Sequence, residues 1–228
     1  MSALLDWNSD EVPAVKSSMI RLGLFFLVLS LFSACTPAAQ SPAPEVISVY
    51  STAAAQPWLS ELYDCAGTAS VIARVDDPAA AAIVLRVGEP DALSSPAYQI
   101  DTEEILVVTQ RQSPIQNLSL EKARALFSGQ GDPSVQVWVY ASGVDVQDVF
   151  NRSVMQGQNI APSARLAVDP QQMADTLVNE PNTVGILPRH WKMGDSREVF
   201  SVGTVPVLAI TSKEPQGVIR QLIACLQK

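Results

Sequence analysis

The order of apolar patterns along the chain predicts an α/β fold, with mostly parallel sheets flanked by helices. Two observations carry this expectation. Short β-branched runs recur as in buried strands, and the segments between them repeat apolar side chains at helical spacing. Val46–Tyr50 opens the series as a strand, and Pro57–Cys65 follows as a helix striped by Trp58, Leu59, Leu62 and Tyr63. Val71–Val75, Ile83–Val87 and Ile105–Thr109 are further strands. Ser119 caps a helix that carries Leu120, Ala123 and Phe127 on one face and stops at Gly129. Gln136–Tyr140 is a strand, and Val146, Val149, Phe150 and Val154 stripe the helix after it. Arg165–Val168 leads into Asp169-Pro170, an N-cap followed by proline at the first helical position. That helix buries Met173, Ala174, Leu177 and Val178. Thr183–Leu187 and Val205–Thr211 are strands, and an amphipathic helix through Val218, Ile219, Leu222, Ile223 and Leu226 closes the chain.

The first 34 residues read as a signal region rather than as part of that fold. Arg21 precedes the uncharged run Leu22–Phe32, and the small residues Ser33 and Ala34 precede Cys35. The 13 residues from Leu22 to Ala34 are too few to cross a bilayer, which takes about 20 in a helix. Residues 1–18 are polar and acidic, so Met19-Ile20-Arg21 is the expected true start. Residues 35–45 are rich in Pro and Ala and form a flexible tether to a domain over 46–228.

Composition removes several function classes. The 228 residues hold 15 Lys+Arg against 23 Asp+Glu, a formal charge of −8. Nucleic-acid binding needs a clustered basic excess, so none is expected. Dinucleotide, phosphate-loop and zinc-protease motifs are absent from the sequence, as is Cys-x-x-Cys. A single histidine, His190, and three scattered cysteines argue against a metal site. His190 has no acidic or nucleophilic partner at recognisable spacing and reads as structural or solvated. Glu103-Glu104 and Asp76-Asp77 read as solvated turn residues, and Trp138 and Trp191 as core unless they line a cleft. No cofactor and no enzymatic activity are expected.

Two resemblances sharpen the reading. Leu31-Phe32-Ser33-Ala34-Cys35 resembles the lipobox of a bacterial lipoprotein signal, with Phe32 where that family prefers Leu, Val or Ile. The likeness implies cleavage before Cys35, a lipid anchor on its thiol and an extracytoplasmic location on a bacterial membrane. The body resembles the type 2 periplasmic-binding-protein superfamily, in its phosphate-binding branch. Four stretches carry this: Ser51-Thr52 before Pro57-Trp58, Asn117-Leu118-Ser119-Leu120-Glu121-Lys122 through Phe127-Ser128-Gly129, Val137–Gly143 with Asp148-Val149-Phe150, and Val168–Pro188 with Asn182-Thr183-Val184-Gly185-Ile186. The resemblance implies two α/β lobes, the first about 45–109 with 198–228 and the second about 110–197.

In that family an anion is held between the lobes, by hydroxyls and by N–H groups at helix starts. By analogy the ligand set is Ser51, Thr52, Ser142 and Gly143, with Arg86 as the charged contact. Helix capping alone is the competing account of both loops, and a surface or interlobe ion pair that of Arg86. The sequence departs from the family at Val144-Asp145-Val146, where phosphate binders have a second glycine and a threonine. Asp145 repels a dianion and accepts only from a protonated or cationic ligand. With Cys35 lipidated, Cys65 and Cys225 remain as a pair, and the analogy places both in the first lobe. That implies a disulfide between them, with two free thiols as the alternative.

Two functions remain. One is a lipid-anchored solute-binding protein delivering an oxyanion such as phosphate to an ABC permease. The other is an interaction or sensory lipoprotein that kept the fold and lost the ligand.

Overall fold

The computed structural model describes residues 43–227. The signal region, the start at Met19, Cys35 and the tether up to residue 42 lie outside the described residues. From Pro44 onward the chain is one compact unit.

Eight strands carry the fold: β1 (Glu45–Ser51), β2 (Ser70–Arg74), β3 (Ile83–Val87), β4 (Ala97–Thr109), β5 (Gln136–Tyr140), β6 (Arg165–Ala167), β7 (Thr183–Pro188) and β8 (Arg197–Ile210). Between them lie α1 (Gln56–Ala66), α2 (Leu120–Phe127), α3 (Asp145–Phe150), α4 (Pro170–Asn179) and α5 (Gly217–Leu226). The strand order is β2-β1-β3-β8-β4-β7-β5-β6 in one sheet of eight. β1 pairs in parallel with β2 and β3, and β5 in parallel with β6 and β7. Each half therefore has the parallel core that its βαβ rhythm predicts. The halves are joined by β4 and β8, which run antiparallel to each other along almost their whole length.

These two joining strands are longer than their apolar runs suggest. β4 has 13 residues, and Ile105–Thr109 is only its buried end. β8 has 14, and its first half is polar or half-exposed apart from the buried Val199. Over residues 97–104, β4 pairs with β8 on one side and with no other strand among the described residues, because β7 ends at Pro188, opposite Ile105. Side chains meet backbone groups along this stretch. Gln227 Nε2 donates to the Gln99 carbonyl, Asp101 Oδ1 accepts from Thr102 N, and Glu103 Oε1 accepts from Glu104 N. Glu103 and Glu104 are thus strand residues and not a solvated turn.

Local sequence explains the helices. Ser119 Oγ accepts from Lys122 N at the start of α2, and Asp169 Oδ1 accepts from Gln172 N at the start of α4, with Pro170 next. α1 turns Trp58, Leu59, Leu62 and Ala66 inward and packs on Leu222, Ile223 and Leu226 of α5. Tyr63, expected on that inward stripe, is 44% exposed. Cys65 and Cys225 are bonded, with Cα atoms 6.0 Å apart, and so tie α1 to α5. In the other half Phe127 and Phe150 meet with ring centroids 4.5 Å apart. Burying a side chain of this size contributes about 2–3 kcal/mol.

Candidate functional site

The loop after β1 and the start of α3 face each other across the two halves. Thr52 lies between them. Its hydroxyl accepts from Ala55 N at 3.3 Å, a local turn into α1, and donates to Asp145 Oδ2 at 2.6 Å. The same Asp145 oxygen accepts the N–H of Val87, the last residue of β3, at 3.0 Å. Asp145 Oδ1 accepts from Val146 N at 3.0 Å. The carboxylate is therefore held by three donors, two of them from the first half, and Asp145 is 2% exposed. Donors to a charged acceptor are the stronger kind of hydrogen bond, and this set leaves neither oxygen bare.

The structure distributes the expected ligand residues differently from one another. Thr52 sits at the junction. Ser51 Oγ donates to the Thr52 carbonyl at 3.0 Å. Arg86 Nε donates to the Gly88 carbonyl at 3.1 Å, folding the guanidinium onto its own strand end. Ser142 and Gly143 are exposed; Gly143 N donates to Asp148 Oδ1 at 3.3 Å. Ser142 lines a cavity of about 320 Å³ with Tyr140, Gln147, Asn151 and Leu166. Of the second loop, it is Asp145 that reaches Thr52. The sequence carried a signal for this, since Asp145 stands where an anion-binding loop would leave room.

Further contacts close the junction. Arg152 pairs with Asp91 at 2.6 Å and donates to the Glu89 carbonyl at 2.9 Å. Gly88 has φ +73°, and a Cβ there would lie 2.7 Å from Val149 Cγ2. Gly88→Ala is therefore expected to cost about 3 kcal/mol, from left-handed backbone and overpacking together. A thermal melt reads this directly, and an unchanged midpoint would mean that the halves part freely at this point. Tyr140 is buried at the end of β5, and its hydroxyl has no partner among the described residues. Burial first, then the charges of Asp145 and Asp169, hold that phenol well above its ordinary pKa.

Beside the junction, a second constellation escaped the sequence reading. Glu103 on β4 is 1% exposed and lies 2.8 Å from His190 Nδ1. His190 belongs to the helical turn Arg189–Trp191 that follows β7. Its ring packs edge-on against Trp58 of α1, centroids 4.7 Å apart. Trp58 Nε1 in turn donates to Asp101 at 2.9 Å, and Trp191 Nε1 to the Ala54 carbonyl at 3.1 Å. His190 does have an acidic partner, but 87 residues separate the two and no local motif announces it. Trp138 is a core residue, as the sequence suggests. Among the described residues no cluster of His, Cys, Asp or Glu could hold a metal ion.

Comparison with known proteins bears on the fold. No family model matches this chain, and no curated protein sequence does. Solved structures do. One, described as a phosphate ABC transporter substrate-binding protein from Clostridium perfringens with bound phosphate, superposes with TM-score 0.71 at 11% identity, covering 80% of this chain and 93% of its own. An ABC-type phosphate transport receptor from Vibrio cholerae gives TM-score 0.60 at 16% identity, with 80% and 93% covered. Full-length CbnR, complexed with its target DNA, gives 0.57 at 16%, with 95% and 81% covered. The class is thus a two-lobed periplasmic-binding-protein-like fold of type 2, in which β1–β3 with α1 and α5 build one lobe and β5–β7 with α2–α4 the other.

Proposed function

We propose that this chain is an interaction or sensory lipoprotein, which keeps a periplasmic-binding-protein-like body and has replaced the captured solute with its own Asp145. The observation that carries this reading is the buried carboxylate between the lobes, which takes the Thr52 hydroxyl and the Val87 N–H. Those are the donor types that hold an oxyanion in such clefts. A free anion would have to displace a charge of its own sign that is covalently tethered in place. The reading has the protein act through its surface, without enzymatic chemistry.

The signal region and the disulfide support a lipid anchor and an extracytoplasmic location. Lipidation of Cys35 after cleavage gives stable attachment only with two acyl chains, and a bond between Cys65 and Cys225 suits an oxidising, extracytoplasmic compartment. An acidic chain with formal charge −8 is also a poor partner for nucleic acid, which supports a role apart from that of the DNA-bound neighbour. Mass spectrometry of the membrane fraction should find a lipidated N-terminal Cys35; an unmodified N-terminus elsewhere would overturn the anchor.

A second reading, oxyanion capture for an ABC transporter, is favoured by the phosphate-bound neighbour and by the Ser51-Thr52 loop ahead of α1. It requires Asp145 to leave Thr52 when the ligand arrives. Titration calorimetry of the intact protein with phosphate, sulfate and molybdate separates the two. The proposed function expects no saturable heat at millimolar anion, and micromolar binding of any of the three would replace it with oxyanion capture.

A further inference from the structure

We infer that Glu103 and His190 form a proton-operated joint between the lobes, tightest when the imidazole is charged and looser as pH rises. The geometry supplies each part. Glu103 lies on β4 just before the strand passes from one lobe to the other, with Ile105 the first residue that also pairs with β7. Its carboxylate is enclosed, while the His190 side chain remains 48% exposed and so can exchange its proton with solvent. The contacts then run continuously to the lobe junction. His190 rests on Trp58 of α1, Trp191 next to it is bonded to Ala54, and Ala55 N is bonded to the Thr52 hydroxyl that grips Asp145.

The direction follows from the charges. With the imidazole protonated, the enclosed carboxylate is compensated. Once the imidazole is neutral, it still donates one hydrogen bond, but the Glu103 charge stays buried without a counter-ion, which is the costly arrangement. Burial already raises Glu103 above the ordinary carboxylate pKa, with His190 opposing that shift. A group bound more tightly to its proton in the closed form makes that form lose stability as pH rises.

The other charged groups around the pair do not supply that compensation. From β4 come Asp101, bonded to Trp58, and Glu104; from the turn come Arg189 and Lys192; from β8 comes Glu198. Arg189 is engaged by Glu104 at 2.7 Å and by Glu198 at 3.0 Å. From α1 the contact is the neutral Trp58 ring.

The test reads the protection of the Val87 amide, whose hydrogen bond crosses the lobes, by hydrogen exchange on the full chain, corrected for intrinsic exchange. Protection is expected to fall as pH is raised from about 5.5 to 8.5, by about tenfold for each pKa unit of linkage. Glu103→Gln should hold protection high and flat across the range, because no charge is left buried. His190→Asn should lower protection across the range, because the carboxylate has no counter-ion, and leave only the fall that Glu103 itself contributes; this variant serves if the first fails to fold. A wild-type profile that is flat or falls on acidification would overturn the joint, as would an alkaline loss that survives Glu103→Gln.

Discussion

Asp145→Ala is expected to lower stability by about 3 kcal/mol and to give the protein an anion dependence that the parent lacks. The loss arises because the Thr52 hydroxyl and the Val87 and Val146 amides give up a charged acceptor, and a buried donor left unmet costs about 1–3 kcal/mol. The gain arises because those donors then surround a vacated volume of carboxylate size. Sulfate or phosphate in excess over its dissociation constant should restore part of the loss, by about 2.7 kcal/mol at a hundredfold excess. Thermal melts of parent and variant, with and without each anion, measure both effects. A variant as stable as its parent would show that the contact contributes nothing. A destabilised variant indifferent to both anions would mean that the donors do not converge once Asp145 is gone.

Replacing Cys65 and Cys225 together by serine is expected to cost about 4–5 kcal/mol, because the bond closes a loop of 160 residues in the unfolded chain. For a domain of this size that corresponds to a midpoint lower by roughly 8–20 °C. The effect should be reproduced by a reductant on the parent protein and should be absent from the double variant. Labelling of both thiols in the unreduced parent would remove the basis of the prediction.

Much of the fold was legible because burial imposes a period. Ile83–Val87 and Gln136–Tyr140 are strands with the bounds that their β-branched runs predict, and Ser119 and Asp169 cap the helices that they precede. The joining strands were half-legible. Residues 97–104 of β4 lie against β8 with one edge free, so Gln99, Thr102 and Glu104 meet no pressure to be apolar and the run looks like a loop. The site divides in the same way. Thr52 was legible from its place before a helix and Asp145 from its conflict with anion binding, yet their meeting is not, since 93 residues lie between them. Glu103 and His190 were misread for the same reason: a long-range pair leaves no spacing to find. Ser142 and Gly143 were named from a loop pattern, and patterns of that kind do not say which of several neighbouring residues turns inward.

The free edge of β4 bears on how the protein behaves in a crowd. A row of unmet strand amides is a template for another chain. Here Gln227, Asp101 and Glu103 answer the carbonyl of Gln99 and the amides of Thr102 and Glu104 from within the same molecule. Asp101 is an exposed carboxylate, so an approaching strand meets a charge as well as occupied partners. Growth of the sheet from copy to copy along this stretch is thereby disfavoured.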